Sequence, residues 1–321
     1  MKVVTFKGTG GNEVVSLAER PDPVPASDEI VVAARFAGVN WADVAQRQGA
    51  YPPPPGAPQD IPGLEVAGVV VAVGERVRAW RAGDRVFGLV GGGGLADRVA
   101  VHERHVTAIP DSLADDVAAA VPEAYITAHD AVFTQAGLKL GEVLLVNGAN
   151  GAVGSAGVRL GLASGARVVA RVRSADSAVG LADEGAIVVS PDTAAERIAA
   201  LGGVDVVLEL VGAPNLDFDL DVLTLKGRIS IVGSDAGEQA TISLRRLMGK
   251  RASVRGTVLR ARPLEEKAAA VQAFARSVVP LLAEGRALPA IDRVFPAAEA
   301  AAAFDYLAVP GKAGKILLDF G

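Results

Sequence analysis

Residues 147–154 read Asn147-Gly148-Ala149-Asn150-Gly151-Ala152-Val153-Gly154, directly after the aliphatic run Val143-Leu144-Leu145-Val146 and directly before an Ala- and Gly-rich stretch that reads as a helix to Ala163. A glycine turn between a strand and a helix permits few folds. One glycine allows the tight turn, one lets a pyrophosphate approach the backbone, and one lets the helix lie close to the sheet. The unbonded N–H groups at the helix start then face the phosphates, with Gly151 and Gly154 as the expected contacts. Alone, the same residues would also suit a helix N-terminus packed with small side chains.

The surroundings favour the nucleotide reading. From Val143 onward strand and helix patterns alternate: strands at Val168–Arg171, Ile187–Val189, Val204–Leu208, Arg228–Val232 and Ser253–Val258, and helices at Ala152–Ala163 and Ala178–Glu184. This alternation predicts a doubly wound parallel sheet. The first third differs. Glu29–Ala34, Val66–Val73 and Arg85–Leu89 read as short strands, separated by Pro21–Pro25 and Pro52–Pro55, which suggests a compact barrel with long connections. Asp115–Gly137 and Pro263–Glu284 read as helical, and Lys315–Leu318 as the last strand. A chain of 321 residues is long enough for two domains. The expected division is a cofactor domain over 119–260 and a substrate domain built from 1–118 and 261–321, because the alternating unit is complete before the C-terminus.

Composition removes several functions. The chain has no cysteine, so disulfides, thiolate zinc sites and a cysteine nucleophile are excluded. A net charge of −5 argues against nucleic acid or an anionic membrane as partner. The cluster Arg245, Arg246, Lys250, Arg251 and Arg255 reads as a solvated face. No apolar run is long enough to span a bilayer, and the start, Met1 to Gly8, lacks the apolar core of a signal peptide, so a cytoplasmic location is expected.

The end of the second strand of the alternating unit selects the cofactor. An NAD site usually carries an acid there, about twenty residues beyond the glycine turn. This chain has Val169-Ala170-Arg171-Val172-Arg173-Ser174 instead. Guanidinium and hydroxyl groups bind a 2′-phosphate that a carboxylate would repel, so NADPH is expected, with Arg173 first, Ser174 second and Arg171 third. Exposed strand-end arginines with no ligand are the plainer alternative.

Further motifs run the length of the chain: Ala37-Gly38-Val39-Asn40-Trp41-Ala42-Asp43, Arg47-Gln48-Gly49-Ala50-Tyr51-Pro52, Pro62-Gly63-Leu64-Glu65-Val66-Ala67-Gly68, Gly83-Asp84-Arg85-Val86, Pro122-Glu123-Ala124-Tyr125-Ile126-Thr127-Ala128, Arg255-Gly256-Thr257-Val258-Leu259-Arg260 and Gly314-Lys315-Ile316. With the glycine turn, and in this order, they resemble the quinone oxidoreductase (zeta-crystallin) branch of the medium-chain dehydrogenase/reductases, and within it the p53-inducible quinone oxidoreductase type. The resemblance implies a Rossmann domain plus a GroES-like β-barrel substrate domain, a homodimer joined through sheet edges, and hydride transfer from NADPH to a quinone or an α,β-unsaturated carbonyl. It implies cofactor contacts at Tyr125, Thr127, Asn150, Gly151, Ala152, Val153, Arg171, Arg173, Ser174, Val211, Gly233, Ser234, Val258, Leu259 and Lys315.

The resemblance also implies that no zinc is used. Zinc-dependent relatives carry Cys where Asn40 stands and His where Leu64 stands. His102 and His105 have a ligand-like spacing but fall on a strand and loop near solvent. Without a metal, the acceptor oxygen needs hydrogen-bond donors as it gains charge. Family position suggests Asn40 and Tyr51, with Tyr51 also able to give a proton. Tyr51 reads equally as an aromatic plug beside the prolines, and Asn40 as a cap for the helix at 42–47. Departures from the family pattern are Leu95 and Arg98 in place of aromatics, Asp176-Ser177 where a Lys is frequent, and Ser190-Pro191 where a Tyr is frequent. The first pair would suit a larger or more apolar acceptor, and an enoyl reductase serving a biosynthetic pathway or a non-catalytic NADPH-binding protein are the competing readings.

Overall fold

The computed structural model describes residues 1–174, 180–309 and 311–321. Eight strands come first: β1 (Lys2–Phe6), β2 (Val15–Glu19), β3 (Glu29–Ala33), β4 (Phe36–Val39), β5 (Glu65–Val73), β6 (Arg85–Leu89), β7 (Arg98–His102) and β8 (Val106–Ala108). Helix α1 (Trp41–Arg47) lies between β4 and β5, and α2 (Asp115–Ala119) and α3 (Pro122–His129) follow β8. The five strands β7-β3-β5-β6-β8 form an antiparallel sheet, whose inward Val, Ile and Leu side chains make the GroES-like core. Val and Ile suit this role because branching at Cβ packs well on a pleated surface.

The second unit contains β9 (Val143–Asn147), α4 (Ala152–Ala163), β10 (Arg167–Arg171), β11 (Ile187–Val189), α5 (Pro191–Ala199), β12 (Val204–Glu209), α6 (Leu216–Val222), β13 (Leu223–Ile231), α7 (Leu244–Lys250) and β14 (Ser253–Gly256). All its strand pairs are parallel, in the order β11-β10-β9-β12-β13-β14. This is the Rossmann order, with its topological switch between β9 and β12. Every residue of β9 is buried, as expected of a central strand covered on both faces.

The chain then returns. Helix α8 (Leu264–Ser277) lies against the first unit, where Glu265 holds Arg104 through two hydrogen bonds of 2.6 and 2.7 Å. After α9 (Val279–Ala283), β15 (Ile291–Pro296) and α10 (Ala300–Ala308), β16 (Lys315–Asp319) pairs antiparallel with β4. The first and last parts of the sequence therefore share a three-stranded sheet, β15-β16-β4.

Three helical stretches correct the sequence reading. Asp115–Gly137 is broken between α2 and α3, where Pro122 opens a new helix. Pro263–Glu284 is two helices, broken at Val278, because Pro280 has no N–H to continue the ladder. The segment read as a helix at 178–184 falls partly outside the described residues, and 180–184 is a succession of turns. Among the described residues, no helix is long and apolar enough to cross a membrane.

Candidate active site

The glycine turn opens directly onto α4. Gly148 has φ +76°, a left-handed value that favours glycine. A Cβ at Gly154 would overlap the carbonyl oxygen of Gly148, so the helix can start this close to the turn only with glycine there. Gly151 is the exposed N-cap and offers no side chain, which leaves the first amides of α4 to an outside acceptor. This is a cradle that fits a dinucleotide pyrophosphate.

Beneath the turn lies a buried polar layer. Asn147 Nδ2 donates to Glu209 Oε2 at 2.5 Å and to Asp219 Oδ1 at 2.8 Å, with all three side chains at most 1 % exposed. Glu209 Oε1 also accepts from the N–H groups of Val211 and Gly212, at 2.5 and 2.7 Å. Burial, and then the charge of Glu209, push the Asp219 carboxyl well above its ordinary range. The layer ties the loops after β9 and β12 to each other on both sides of the switch point.

Arg171 belongs to this layer. Its Nη1 donates to Asn215 Oδ1 at 2.8 Å and to Asn147 Oδ1 at 3.3 Å, and its guanidinium lies 4.5 Å from the Phe218 ring centroid. Strand alternation turns it inward, onto the switch-point network. Arg173 and Ser174, two and three residues on, are exposed. The sequence reading missed Lys312, which lies close enough to Arg173 to be disfavoured as a cation by it. Burial is the larger cause lowering the Lys312 ammonium, and Asp292 opposes both. The Lys of the family pattern that is replaced by Asp176-Ser177 falls outside the described residues.

The second half of the site is a cluster of charges joined to the glycine turn through β16. Gly314 N donates to Asn150 O at 3.3 Å. The next residue, Lys315, is 1 % exposed and sends its Nζ to Glu65 Oε1 at 2.5 Å and Asn40 Oδ1 at 2.6 Å. Asn40 Nδ2 donates to the same Glu65 oxygen at 2.9 Å and to Gly38 O at 3.3 Å. Glu65 Oε2 accepts from the backbone N–H of Glu123, at 2.8 Å, at the start of α3. A Cβ at Gly38 would overlap both Glu65 Oε1 and the Lys315 side chain, so glycine is needed for the cluster to close.

Around it, Asp43 is fully buried. It accepts from Asn40 N at 2.9 Å and Gly63 N at 2.8 Å, yet burial still raises it to about 6. Arg260 is 5 % exposed and donates to Tyr51 O at 2.7 Å, to Gly91 O at 2.8 Å and to Gln46 Oε1, with its guanidinium 5.0 Å from the Tyr51 ring centroid. It thereby pins the Tyr51 loop to the segment leaving β14. Among the described residues, no group bonds the half-buried Tyr51 hydroxyl. Burial raises its pKa, the nearby Glu123 charge adds to that, and Arg260 opposes.

The structure thus brings Asn40, Tyr51, Lys315 and Thr127 together, the last through Thr127 Oγ1 and Glu123 Oε1 at 3.4 Å. Asn40 is the N-cap of α1, and both faces of its amide are occupied by Glu65, Gly38 and Lys315 rather than turned to an acceptor. Lys315, expected at the cofactor, is likewise spent on this cluster. Tyr125 corrects the sequence reading: it is 1 % exposed in the hydrophobic core, with its hydroxyl beside Arg159, so its side chain has no surface to offer a nucleotide. Ala152 and Val153 form the first turn of α4, Val211 follows β12, Gly233 and Ser234 follow β13, and Val258 and Leu259 follow β14. These are the carboxyl ends of the parallel strands and the loops beside the switch point. Val258 is 54 % exposed and Leu259 is buried. Leu95 is wholly buried and so does not line an acceptor pocket. Glu65, Glu123 and Arg260 stood in the motifs but were not singled out. Their partners are far away in sequence, and only the Pro-Glu start of α3 hinted at Glu123.

Comparison with known proteins agrees with this geometry. Residues 26–111 match the alcohol dehydrogenase GroES-like domain, and residues 152–276 match the zinc-binding dehydrogenase family. The chain is 32 % identical to a quinone oxidoreductase of Lama guanicoe over 99 % of its own length and 97 % of the relative's. It is 34 % identical, over 96 % of its length, to 14 % of a spectinabilin polyketide synthase system protein of Streptomyces orinoci. Among solved structures, the quinone oxidoreductase of Thermus thermophilus, determined also in complex with NADPH, superposes with a TM-score of 0.86 at 35 % identity, covering 100 % of both chains. Among the described residues, no three His, Asp or Glu side chains converge as a metal site would require.

Proposed function

The chain belongs to the quinone oxidoreductase, zeta-crystallin-like branch of the medium-chain dehydrogenase/reductase superfamily, and from that footing we propose that it is an NADPH-dependent reductase that transfers a hydride to a quinone or an α,β-unsaturated carbonyl without zinc. The observation that carries the reading is the junction at β16. Gly314 touches the dinucleotide cradle at Asn150, while its neighbour Lys315 closes the Asn40–Glu65–Glu123 cluster. Cofactor and acceptor would therefore meet over one strand. The division into a cofactor domain at 119–260 and a substrate domain from both flanks is part of this proposal, and the pairing of β16 with β4 supports it.

NADPH fits the residues present. Ala152, Val153 and Gly154 amides would take the pyrophosphate, and Arg173, Ser174 and Lys312 the 2′-phosphate. Bound there, it supplies the hydride. What the chain supplies is orientation and charge control. Tyr51 offers a free hydroxyl to the acceptor oxygen as negative charge develops on it. Lys315 and Asn40 hold Glu65 and the start of α3 in place. No cysteine is present, and Asn40 and Leu64 are poor metal ligands, which favours a zinc-free reaction. The likeness to part of a polyketide synthase favours a second reading, an enoyl reductase of a biosynthetic pathway. The exposed edge strand β14, with Leu244 and Met248 exposed nearby, suits pairing with a second copy. The test of function is a screen of quinones and enones, following loss of NADPH absorbance. Consumption with at least one class supports the reading, and binding without consumption would make the chain an NADPH-binding protein only.

A further inference from the structure

The reduction proposed above adds a hydride and a proton to the acceptor, and the source of that proton is a separate question. Glu123 sits at the first turn of α3, just after Pro122, half-buried beside the cluster. Its backbone N–H is fixed by Glu65 at 2.8 Å. Its carboxyl has one close partner, the Thr127 hydroxyl at 3.4 Å, and forms no ion pair among the described residues. That is unusual for an acid among so many charges.

The groups that face it are known from each packed element. Tyr51 comes from the loop after α1, Asp43 from α1 itself, Glu65 from β5 and Lys315 from β16. Arg260, after β14, and Lys267, on α8, complete the ring. The cations are occupied elsewhere. Lys315 is bonded to Glu65 and Asn40, Arg260 to Tyr51 O, Gly91 O and Gln46, and Lys267 to Arg260 O at 2.9 Å. An acid with two other carboxyls nearby and no ion pair of its own keeps its proton more readily than one in water, and the Lys315 charge opposes this only in part.

We propose that the Glu123 carboxyl is the proton donor that completes reduction of the acceptor, acting beside the Tyr51 hydroxyl. This rests on the reductase reading above. The acceptor takes a hydride, with its two electrons, from the dihydronicotinamide, and negative charge collects on the acceptor oxygen. Tyr51 donates a hydrogen bond to that oxygen and keeps its own proton. The Glu123 O–H bond breaks, its electron pair stays on the carboxylate, and a new O–H bond forms on the acceptor. The carboxylate then recovers a proton from water, which its partial exposure admits. Burial, and then the charge of Glu65, raise this carboxyl to about 7, so the protonated form is available at neutral pH and is lost as pH rises.

The test combines spectroscopy with kinetics. In the protein without nucleotide, the infrared carbonyl absorption of protonated carboxylic acids should lose one component as pH rises through about 7, and Glu123→Gln should remove that component while leaving those of Asp43 and Asp219. With a quinone that the wild type reduces, wild-type turnover should fall above that pH. Glu123→Gln should lose turnover by about a hundredfold or more and show a flat profile, with NADPH affinity, read by nucleotide fluorescence, unchanged within about twofold. Glu123→Asp should recover part of the rate and part of the pH dependence, which a purely structural role would not produce. A Glu123→Gln protein with wild-type turnover and pH profile overturns the inference alone, as does a titrating carboxylic-acid absorption that is the same in the wild type and in Glu123→Gln. A wild type that oxidises NADPH with no quinone or enone overturns the function and this inference together.

Discussion

Lys315 Nζ stands 2.5 Å from Glu65 Oε1, with 1 % and 2 % of the two side chains exposed. The pair lies where the first and last parts of the sequence meet, and neither charge has water to fall back on. Removing one member strands the other. Lys315→Met should therefore cost about 3–5 kcal/mol in denaturant unfolding, while the double change Lys315→Met, Glu65→Leu should recover much of the loss. An unchanged midpoint in the single variant would mean that the pair is solvated.

Gly38 makes that pair possible. A methyl there would overlap Glu65 Oε1 and the Lys315 stem. Gly38→Ala should cost about 1–3 kcal/mol and lower turnover more than NADPH affinity, because the proposed function puts the displaced groups on the acceptor side. Thermal unfolding and a comparison of kcat with the nucleotide Kd check both parts.

Asp43 links stability to pH. Its ordinary value of 3.8 is raised to about 6 by burial, so the folded chain holds this proton more tightly than the unfolded chain. Its contribution is fully present below about pH 4 and is lost as pH rises through about 6. The unfolding free energy of the wild type minus that of Asp43→Asn should therefore fall across this window. A difference that stays level from pH 4 to pH 7 would contradict the assignment.

The proposed preference for NADPH rests on the end of β10. Arg171 is engaged by Asn147, Asn215 and Phe218, which leaves Arg173 with Lys312 nearby. Arg173→Ala should weaken NADPH binding at least about tenfold and leave NADH nearly unchanged, measured at one salt concentration. Arg171→Ala should weaken both, by loosening the switch-point layer. Equal effects of Arg173→Ala on the two nucleotides would remove the basis for preferring NADPH.

Much of the cofactor half was legible in the sequence, because it is written in local signals. A Val/Leu run, a glycine turn and an Ala-rich helix follow one another, and the predicted helix Ala152–Ala163 has the observed bounds. The carboxyl cluster was not legible. Lys315 is hundreds of positions from Asn40 and Glu65, and only the pairing of β16 with β4 brings them together. Tyr125, two positions after Glu123, was expected at the cofactor from family resemblance alone, which does not say which side of α3 packs inward, and it fills the core. The single long helix expected at Pro263–Glu284 failed for a local reason that was visible in the sequence, Pro280.

The most direct measurement is NADPH oxidation by purified protein offered a quinone and an enone in turn, after zinc has been removed with a chelator. The account predicts steady loss of NADPH absorbance with at least one acceptor, at a rate the chelator does not change, and much slower loss with NADH at equal concentration. Tight NADPH binding with no oxidation by either acceptor, or activity that disappears with the chelator and returns with zinc, would contradict it.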